Sequence, residues 1–223
     1  MIYHSSAILF VGKKNDLHTD KAIQFMNQNF INVCVHLGKA GDPLPEDIGH
    51  WKGDYIISYL SRWILPGTLL DQARVAAINF HPAPPEYPGT GCTNFALYEG
   101  AKQYGVTCHY MQDQVDTGEI ICVKRFPIFE TDNIETLLTR TYDYQLAMFY
   151  DVINQILDNK TLLGSGEKWS RKPFNRKQLD DLATITPDMT EDEINKRIKS
   201  TTFGAWKPVV KIKGYVFELK ADD

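Results

Sequence analysis

Three polar side chains, Asn79, His81 and Asp116, have the types and spacing that one-carbon acyl transfer needs. Asn79 and His81 open the segment Asn-Phe-His-Pro-Ala-Pro-Pro-Glu-Tyr-Pro-Gly, and Asp116 follows 35 residues after the histidine. A developing oxyanion needs hydrogen-bond donors, which an amide and an imidazole supply. A carboxylate at the same site can help to remove protons from an attacking ammonium. The alternative is a buried, hydrogen-bonded histidine with an unrelated aspartate in a turn.

The Asn-x-His motif at Asn79 and the Asp-x-Gly motif at Asp116 together resemble the formyltransferases that use N10-formyltetrahydrofolate. The resemblance covers residues 50–130 well and the remainder loosely. It implies that Asn79 and His81 donate hydrogen bonds to the oxyanion. It also implies that Asp116 orients His81, raises its pKa in favour of the imidazolium, and helps to relay the proton of the amine. The residues alone leave open which group acts as the base on the amine.

The same resemblance implies that N10-formyltetrahydrofolate binds as a co-substrate between two segments. One segment precedes Asn79 and the other is the loop that leads to Asp116. The candidate folate-binding residues are Arg62, Trp63, Ile64, Asp113, Gln114 and Val115. Core packing is the alternative role for the side chains of Trp63 and Ile64. The first apolar run lacks a following Gly-x-Gly-x-x-Gly motif, which argues against a nicotinamide dinucleotide.

Three further segments are candidates for binding the acceptor. They are the loop after the first strand, the proline-stiffened turn, and a basic segment with aromatic residues that suits a nucleotide diphosphate. The candidate residues are Lys13, Asn15, Tyr87, Gly89, Trp169 and Arg171. Gly89 would let the main chain approach a ligand closely. The alternatives are a solvated loop, a rigid turn without ligand contact, and a solvated basic loop.

The turn Pro-Ala-Pro-Pro-Glu-Tyr-Pro-Gly after His81 resembles the sugar N-formyltransferase branch of the family. This branch implies a nucleotide-linked amino sugar as the acceptor, with dTDP-4-amino-4,6-dideoxyglucose as the preferred candidate. The product would enter surface-polysaccharide synthesis, such as that of an O-antigen. Two alternatives remain: a glycinamide ribonucleotide formyltransferase of purine synthesis, and a non-catalytic module that binds folate or a nucleotide.

The composition is that of a soluble globular protein. The chain has 223 residues, 43% hydrophobic and 23% charged, with a formal net charge of −4 that argues against a nucleic-acid partner. It has no run of about 18 apolar residues and no recognisable leader, so we expect a cytoplasmic protein without a membrane partner. Its four cysteines lack Cys-x-x-Cys spacing, and its histidines lack ligand-like spacing, so we expect no metal site.

The hydrophobic pattern predicts an α/β fold with a doubly wound, Rossmann-like parallel sheet, which is also the formyltransferase fold that the resemblance implies. The candidate residues would lie beyond the carboxyl ends of its strands, where ligands bind in such sheets. Predicted strands cover residues 7–12, 33–37, 55–59, 75–79, 105–111 and 119–129, and predicted helices cover 19–29, 93–102 and 133–159. Thr19 is the predicted cap of the first helix.

The end of the chain has a different pattern. It predicts a helix over residues 190–200, opened by Thr190, and a β-hairpin over 209–219 that turns near Gly214. We therefore predict a catalytic domain over residues 1–160 and a small C-terminal extension over 161–223. An apolar hairpin needs a surface to cover it, so we expect a homodimer.

Overall fold

A six-stranded sheet forms the centre of the computed structural model, which describes residues 4–219. Its strands lie in the order β2-β1-β3-β4-β5-β6. Their bounds are β1 His4–Lys13, β2 Phe30–Gly38, β3 Gly53–Tyr59, β4 Ala73–His81, β5 Gln103–Tyr110 and β6 Ile120–Pro127. The first four strands pair in parallel, and β5 pairs antiparallel with both β4 and β6. The predicted α/β class and all six strands are confirmed, although the sheet is mixed.

Helices cover both faces of this sheet, which explains why its central strands are continuous apolar runs. The helices of this part are α1 Leu17–Asn29, α2 Gly67–Leu70, α3 Cys92–Tyr98 and α4 Ile134–Leu157, and a 3-10 turn covers Glu46–His50. In the long helix α4, Phe149 is fully buried, and its ring meets the rings of Phe10, Tyr59 and Phe80 from three strands. This aromatic cluster fixes α4 beneath the carboxyl ends of β1, β3 and β4.

The start of α1 differs from the prediction. Asp16, not Thr19, is the capping residue, because its carboxylate accepts from the main-chain N–H groups of His18 and Thr19. An aspartate in this position satisfies N–H groups that have no partner within the helix. The helix therefore begins two residues earlier than expected, and Thr19 lies buried inside its first turn.

The C-terminal part forms a second, smaller sheet. Its elements are α5 Arg176–Leu182, β7 Thr184–Ile185, α6 Glu191–Thr201, β8 Val209–Ile212 and β9 Tyr215–Glu218, with strand order β7-β8-β9. The predicted helix with its Thr190 cap and the predicted hairpin are confirmed. The hairpin turns at Lys213 and Gly214, which both have positive φ, as a two-residue turn requires. The short strand β7 lacked a sequence signal.

Residues 162–175, here called the strap, join the two parts without helix or extended strand of their own. The strap runs back across the large sheet. Its main chain pairs with two earlier segments: Ser165 N donates to Ile120 O at the start of β6, and Ser170 N and Phe174 N donate to Pro85 O and Pro88 O in the turn after β4. The predicted domain boundary at residue 160 stays a prediction. The strap, which follows this boundary, is hydrogen-bonded to elements of the first part.

Within residues 4–219, no helix is both long and apolar enough to cross a membrane.

Candidate active site

A cavity of about 900 Å³ opens at the carboxyl ends of the parallel strands. The three predicted catalytic residues, Asn79, His81 and Asp116, all line it. Asn79 and His81 are close to the end of β4, and Asp116 belongs to the loop between β5 and β6. The structure thus brings together the two motifs that are 35 residues apart in the chain, at the sheet edge where such folds bind ligands.

The carboxylate of Asp116 lies between two histidines. Its Oδ2 is 3.3 Å from His81 Nδ1, and its Oδ1 is 3.3 Å from His109 Nε2. All three residues are buried, with exposed fractions of 4% or less. The sequence motifs had named His81 and Asp116 but not His109, so the structure adds a second imidazole to the cluster.

The main chain holds Asp116 in place. The residue has a φ of +50°, a left-handed conformation that aspartate tolerates better than most residues. The N–H of Gly89, from the turn after β4, donates to its Oδ2 over 2.7 Å. Burial by itself would raise the pKa of Asp116, but His81, His109 and the Gly89 N–H outweigh it, so the pKa is lowered. Asp116 is therefore a carboxylate at neutral pH.

His81 does not have the raised pKa that its carboxylate neighbour had suggested. Its ring is fully enclosed, and burial lowers its pKa more than Asp116 raises it. Its Nε2 lies 3.1 Å from the carbonyl oxygen of Tyr87, which only accepts hydrogen bonds. The neutral ring therefore donates from Nε2. Nearby, burial also raises the pKa of the Cys92 thiol, which stays protonated.

His109 contacts Asn79 as well as Asp116. The two residues are register partners across β4 and β5, and Asn79 Nδ2 lies 3.1 Å from His109 Nε2. The one sequence signal for His109 was its place on a strand that pairs with the end of β4. The prediction of paired strands over 105–111 and 119–129 gave no register with β4, so the residue was missed.

Trp169 of the strap covers the two histidines. Its ring meets the ring of His81 edge-on at 5.7 Å and that of His109 at 5.0 Å, measured between centroids. Its Nε1–H donates to Gly118 O over 2.8 Å. Trp169 was a candidate for stacking on a nucleotide base, but the structure places it against the catalytic cluster and not on the cavity wall.

Most of the predicted folate-binding residues lie on the cavity. Those that line it are Arg62, Trp63, Ile64, Gln114 and Val115. Ile64 and Val115 are 73% and 42% exposed, so both offer apolar surface in the cavity to a flat aromatic ligand. Asp113 instead lines a neighbouring groove of about 400 Å³ next to Gly67.

The predicted acceptor-binding residues divide into two groups. Lys13 and Gly89 line the cavity, whereas Asn15, Tyr87 and Arg171 do not. Tyr87 is buried and donates its hydroxyl to Glu99, and the same carboxylate accepts two hydrogen bonds from Arg171. Their side chains are thus used to fasten the strap.

Several residues that the sequence did not single out line the far end of the cavity. They are Asn94, Glu135, Tyr142, Asn175, Arg176 and Phe203. Two of them have properties that suit an acidic or aromatic ligand: Arg176 carries a positive charge, and Phe203 is 44% exposed. Asn94, Glu135 and Tyr142 come from α3 and α4, whereas Asn175, Arg176 and Phe203 come from the C-terminal part of the chain.

The described part of the chain contains no group of three or more histidine, cysteine, aspartate or glutamate side chains that could hold a metal ion.

Comparison with known proteins gives relatives that are named as formyltransferases of two kinds, for GDP-perosamine and for methionyl-tRNA. The chain is 28% identical over 176 residues to the GDP-perosamine N-formyltransferase of Brucella melitensis, a match that covers 76% of this chain and 65% of the relative. The chain thus spans less than two thirds of that protein.

Two solved structures have the same fold. The 4-N formyltransferase from Francisella tularensis superposes with a TM-score of 0.76 at 18% identity and 97% coverage of both chains. The N-formyltransferase from Helicobacter canadensis, in complex with folinic acid and dTDP-3-aminofucose, gives 0.72 at 19% identity, with 93% of this chain and 84% of that chain covered.

A family model described as formyl transferase matches residues 42–153. The matched stretch contains Asn79, His81, His109 and Asp116, which are the four residues that form the buried cluster. On this evidence the chain belongs to the formyl transferase family.

Proposed function

We propose that this protein transfers the formyl group of N10-formyltetrahydrofolate to the amine of a nucleotide-linked amino sugar. The observation that carries the proposal is the cluster of Asn79, His81 and Asp116 on one cavity wall. It supplies an amide donor, a neutral imidazole and a carboxylate, which are the groups that formyl transfer to an amine needs.

In the proposed reaction, the neutral amine of the sugar attacks the formyl carbon and forms a new C–N bond. The carbonyl oxygen becomes an oxyanion, to which the Asn79 amide donates a hydrogen bond. The Nε2–H of His81 donates to the oxyanion in place of the carbonyl oxygen of Tyr87. The bond from the formyl carbon to N10 of the folate then breaks, and N10 takes up a proton. Asp116 relays the proton that the attacking amine loses, so tetrahydrofolate and the N-formyl sugar leave without net change to the protein.

The folate end of the cavity is the slot between Ile64 and Val115. Their exposed apolar side chains would cover the faces of a pterin ring, and Arg62 and Gln114 on the same walls offer polar contacts. The folinic acid in the Helicobacter canadensis structure supports a folate derivative as the partner.

The acceptor end is the opposite part of the cavity, beyond Gly89. Lys13 and Arg176 would pair with a diphosphate, and the exposed ring of Phe203 would stack on the base. Phe203 is held in a tight turn, because its main chain exchanges two hydrogen bonds of 2.9 Å with Trp206. These residues replace Trp169 and Arg171 as the proposed nucleotide contacts.

We keep dTDP-4-amino-4,6-dideoxyglucose as the first candidate acceptor and add GDP-perosamine as the second. The Brucella relative is named for the GDP-linked sugar, and the Helicobacter structure contains a dTDP-linked one. In either case the product would enter surface-polysaccharide synthesis in the cytoplasm, for example of an O-antigen.

The protein is also proposed to be a homodimer through the hairpin of β8 and β9. Tyr215, Val216 and Phe217 are 53–71% exposed, and β9 is the edge strand of its sheet. An exposed apolar edge strand of this kind normally requires a cover.

The test is a coupled assay that follows the release of tetrahydrofolate. Purified protein is given N10-formyltetrahydrofolate with dTDP-4-amino-4,6-dideoxyglucose, GDP-perosamine, a UDP-linked amino sugar or glycinamide ribonucleotide. Turnover with a nucleotide sugar supports the proposal and identifies the nucleotide. Turnover with glycinamide ribonucleotide alone moves the protein to purine synthesis, and folate binding without turnover of any acceptor indicates a binding module.

A further inference from the structure

His109 has two hydrogen-bonding nitrogens, and the structure determines the role of each. Its Nδ1 lies 2.8 Å from the carbonyl oxygen of Tyr110, an atom that can only accept. Nδ1 therefore carries the hydrogen when the ring is neutral, and Nε2 has a free lone pair. The tautomer of His109 is set by the main chain of its own strand.

The free lone pair of Nε2 meets the Asn79 amide. Asn79 Nδ2 is 3.1 Å away, so one amide hydrogen is donated to His109 and the other stays available. An asparagine side chain can rotate its oxygen and nitrogen into each other's places, and only one of these orientations donates to an oxyanion. Neutral His109 selects the orientation in which nitrogen faces it.

Nε2 of His109 can form a hydrogen bond with Asn79 or with Asp116, but not with both at once. At 3.3 Å, Nε2 can donate to Asp116 Oδ1 only when it carries a hydrogen, and it then cannot accept from Asn79. A neutral His109 leaves Asp116 Oδ1 without a hydrogen bond from the ring and free to accept the proton of the amine, whereas a charged His109 donates to Oδ1 and lowers the pKa of Asp116. Nε2 of His109 thus contacts both Asn79, the proposed oxyanion donor, and Asp116, the proposed proton acceptor.

The His109 ring has little room to move or rotate. His109 is 2% exposed, and Trp169 meets it edge-on at an interplanar angle of 87°. The titratable groups that face it are Asp116 from the loop after β5 and His81 from the end of β4. Trp169 of the strap is uncharged.

We propose that His109 is a positioning residue for formyl transfer, which in its neutral form holds the Asn79 amide as a donor to the oxyanion and leaves Asp116 free for the amine. This inference rests on the proposed function, because it assigns His109 to the same reaction. His109 acts through Asn79, so its contribution should disappear when Asn79 is removed.

The kinetic test is a double-mutant cycle with two substitutions of His109. His109→Gln can place an oxygen near the position of Nε2, whereas His109→Leu offers no acceptor. We expect His109→Leu to lower kcat on the order of 10–100-fold with little change in KM for the folate, and His109→Gln to recover most of that loss. In an Asn79→Ala background, His109→Leu should change kcat by less than about twofold. Losses that multiply in the double variant would overturn the proposal.

A second test needs no acceptor. In protein labelled with 15N in its histidine rings, NMR should show His109 with hydrogen on Nδ1 and an unprotonated Nε2, and Asn79→Ala should shift the Nε2 resonance. A hydrogen on Nε2 of the neutral ring would overturn the inference. If the wild-type protein turns over no acceptor, the proposed function fails, and this measurement still decides the tautomer of His109 and its hydrogen bond with Asn79.

Discussion

The main-chain N–H of Gly89 donates to the Asp116 carboxylate over 2.7 Å. The same glycine pairs with the strap on its other side, where Gly89 and Phe174 form an isolated bridge and Phe174 O accepts from Thr90 N. Gly89 is therefore the single residue that lies between Asp116, the proposed proton acceptor, and Phe174 of the strap. Any shift of the strap is transmitted directly to Asp116.

Gly89→Ala should be strongly destabilising. Gly89 has a φ of +92°, and an added Cβ would lie 2.2 Å from Phe174 O. The left-handed conformation alone costs roughly 1–2 kcal/mol for a residue with a Cβ, and the clash should bring the total to about 3 kcal/mol or more. Gly100→Ala is the matched control, because Gly100 has a φ of +67° and no atom within 4 Å of an added Cβ. Urea unfolding with equal losses for both variants would contradict the predicted clash.

Asp116→Asn should lower kcat by roughly 10²–10⁴-fold, because the variant cannot take the proton of the amine. The control is Asp113→Asn in the same loop, which removes an exposed carboxylate outside the cluster. We expect the control to keep its kcat. A similar kcat for Asp116→Asn and the wild-type protein would remove the proposed role of Asp116.

The stability of the protein should fall as the solution becomes more acidic. The pKa values of Asp116 and His81 are both lowered in the folded chain, so the unfolded chain binds more protons. The loss linked to His81 begins below about pH 6.5, and that linked to Asp116 begins below about pH 4. Urea unfolding at several pH values should show a weaker acid dependence for Asp116→Asn than for the wild-type protein. An equal dependence would contradict the lowered pKa of Asp116.

Arg171→Ala and Arg176→Ala should affect different properties. The first should lower the stability of the protein, and the second should raise KM for the acceptor. Arg171 is paired with Glu99 at a half-exposed position, so its loss should cost about 0.5–1 kcal/mol of stability without changing KM for the acceptor. Arg176 lines the cavity, and its ion pair with Asp180 is exposed and therefore weak. Its loss should raise KM for a nucleotide sugar about tenfold, equivalent to one lost charged contact. A raised KM for Arg171→Ala alone would restore Arg171 as the nucleotide contact.

Trp169→Ala should open the catalytic cluster to water. The variant loses the ring that covers His81 and His109, and we expect about 2–3 kcal/mol of destabilisation. Since burial is what lowers the pKa of His81, this pKa should rise towards its ordinary value when water enters. Trp169→Phe keeps an aromatic ring and should leave the titration nearly unchanged. NMR titration of the His81 ring distinguishes the variants, and an unchanged curve for Trp169→Ala would be evidence against this role.

Phe217→Asp should convert the proposed dimer to a monomer. Phe217 lies on the exposed strand β9 and is 53% exposed, as is Phe129 near the start of α4, which provides the control Phe129→Asp. Light scattering after gel filtration should give a dimer for the wild-type protein and for the control. A wild-type monomer at micromolar concentration would exclude the dimer.

The strands and the three motif residues could be predicted because their signals are local. Runs such as Ile8–Val11 are buried on both faces, and apolar runs of this length leave few other interpretations. Asn79 and Asp116 could be assigned to one site because their two motifs together resemble the formyltransferases. Strand ends alone would not have joined them, since β5 runs antiparallel to β4.

The roles of Tyr87, Trp169 and Arg171 could not be predicted in the same way. An aromatic or cationic side chain in a loop has the same sequence signal whether it binds a ligand or fastens the chain to itself. Tyr87 and Arg171 share the carboxylate of Glu99, a residue that stands 72 positions before Arg171. His109 was missed for a similar reason, since its partner Asn79 is fixed by strand register and not by spacing along the chain.

The strap also has a consequence for the order in which the site is made. Trp169 and Ser170 bind residues that stand 51 and 85 positions earlier in the chain. At ~5–20 residues per second, a ribosome completes the strap several seconds after Asp116 has been added. Until then the rings of His81 and His109 lack their cover. A nascent chain therefore possesses every proposed catalytic side chain before it has a dry site in which to use them, and synthesis of the strap is the step that closes the site.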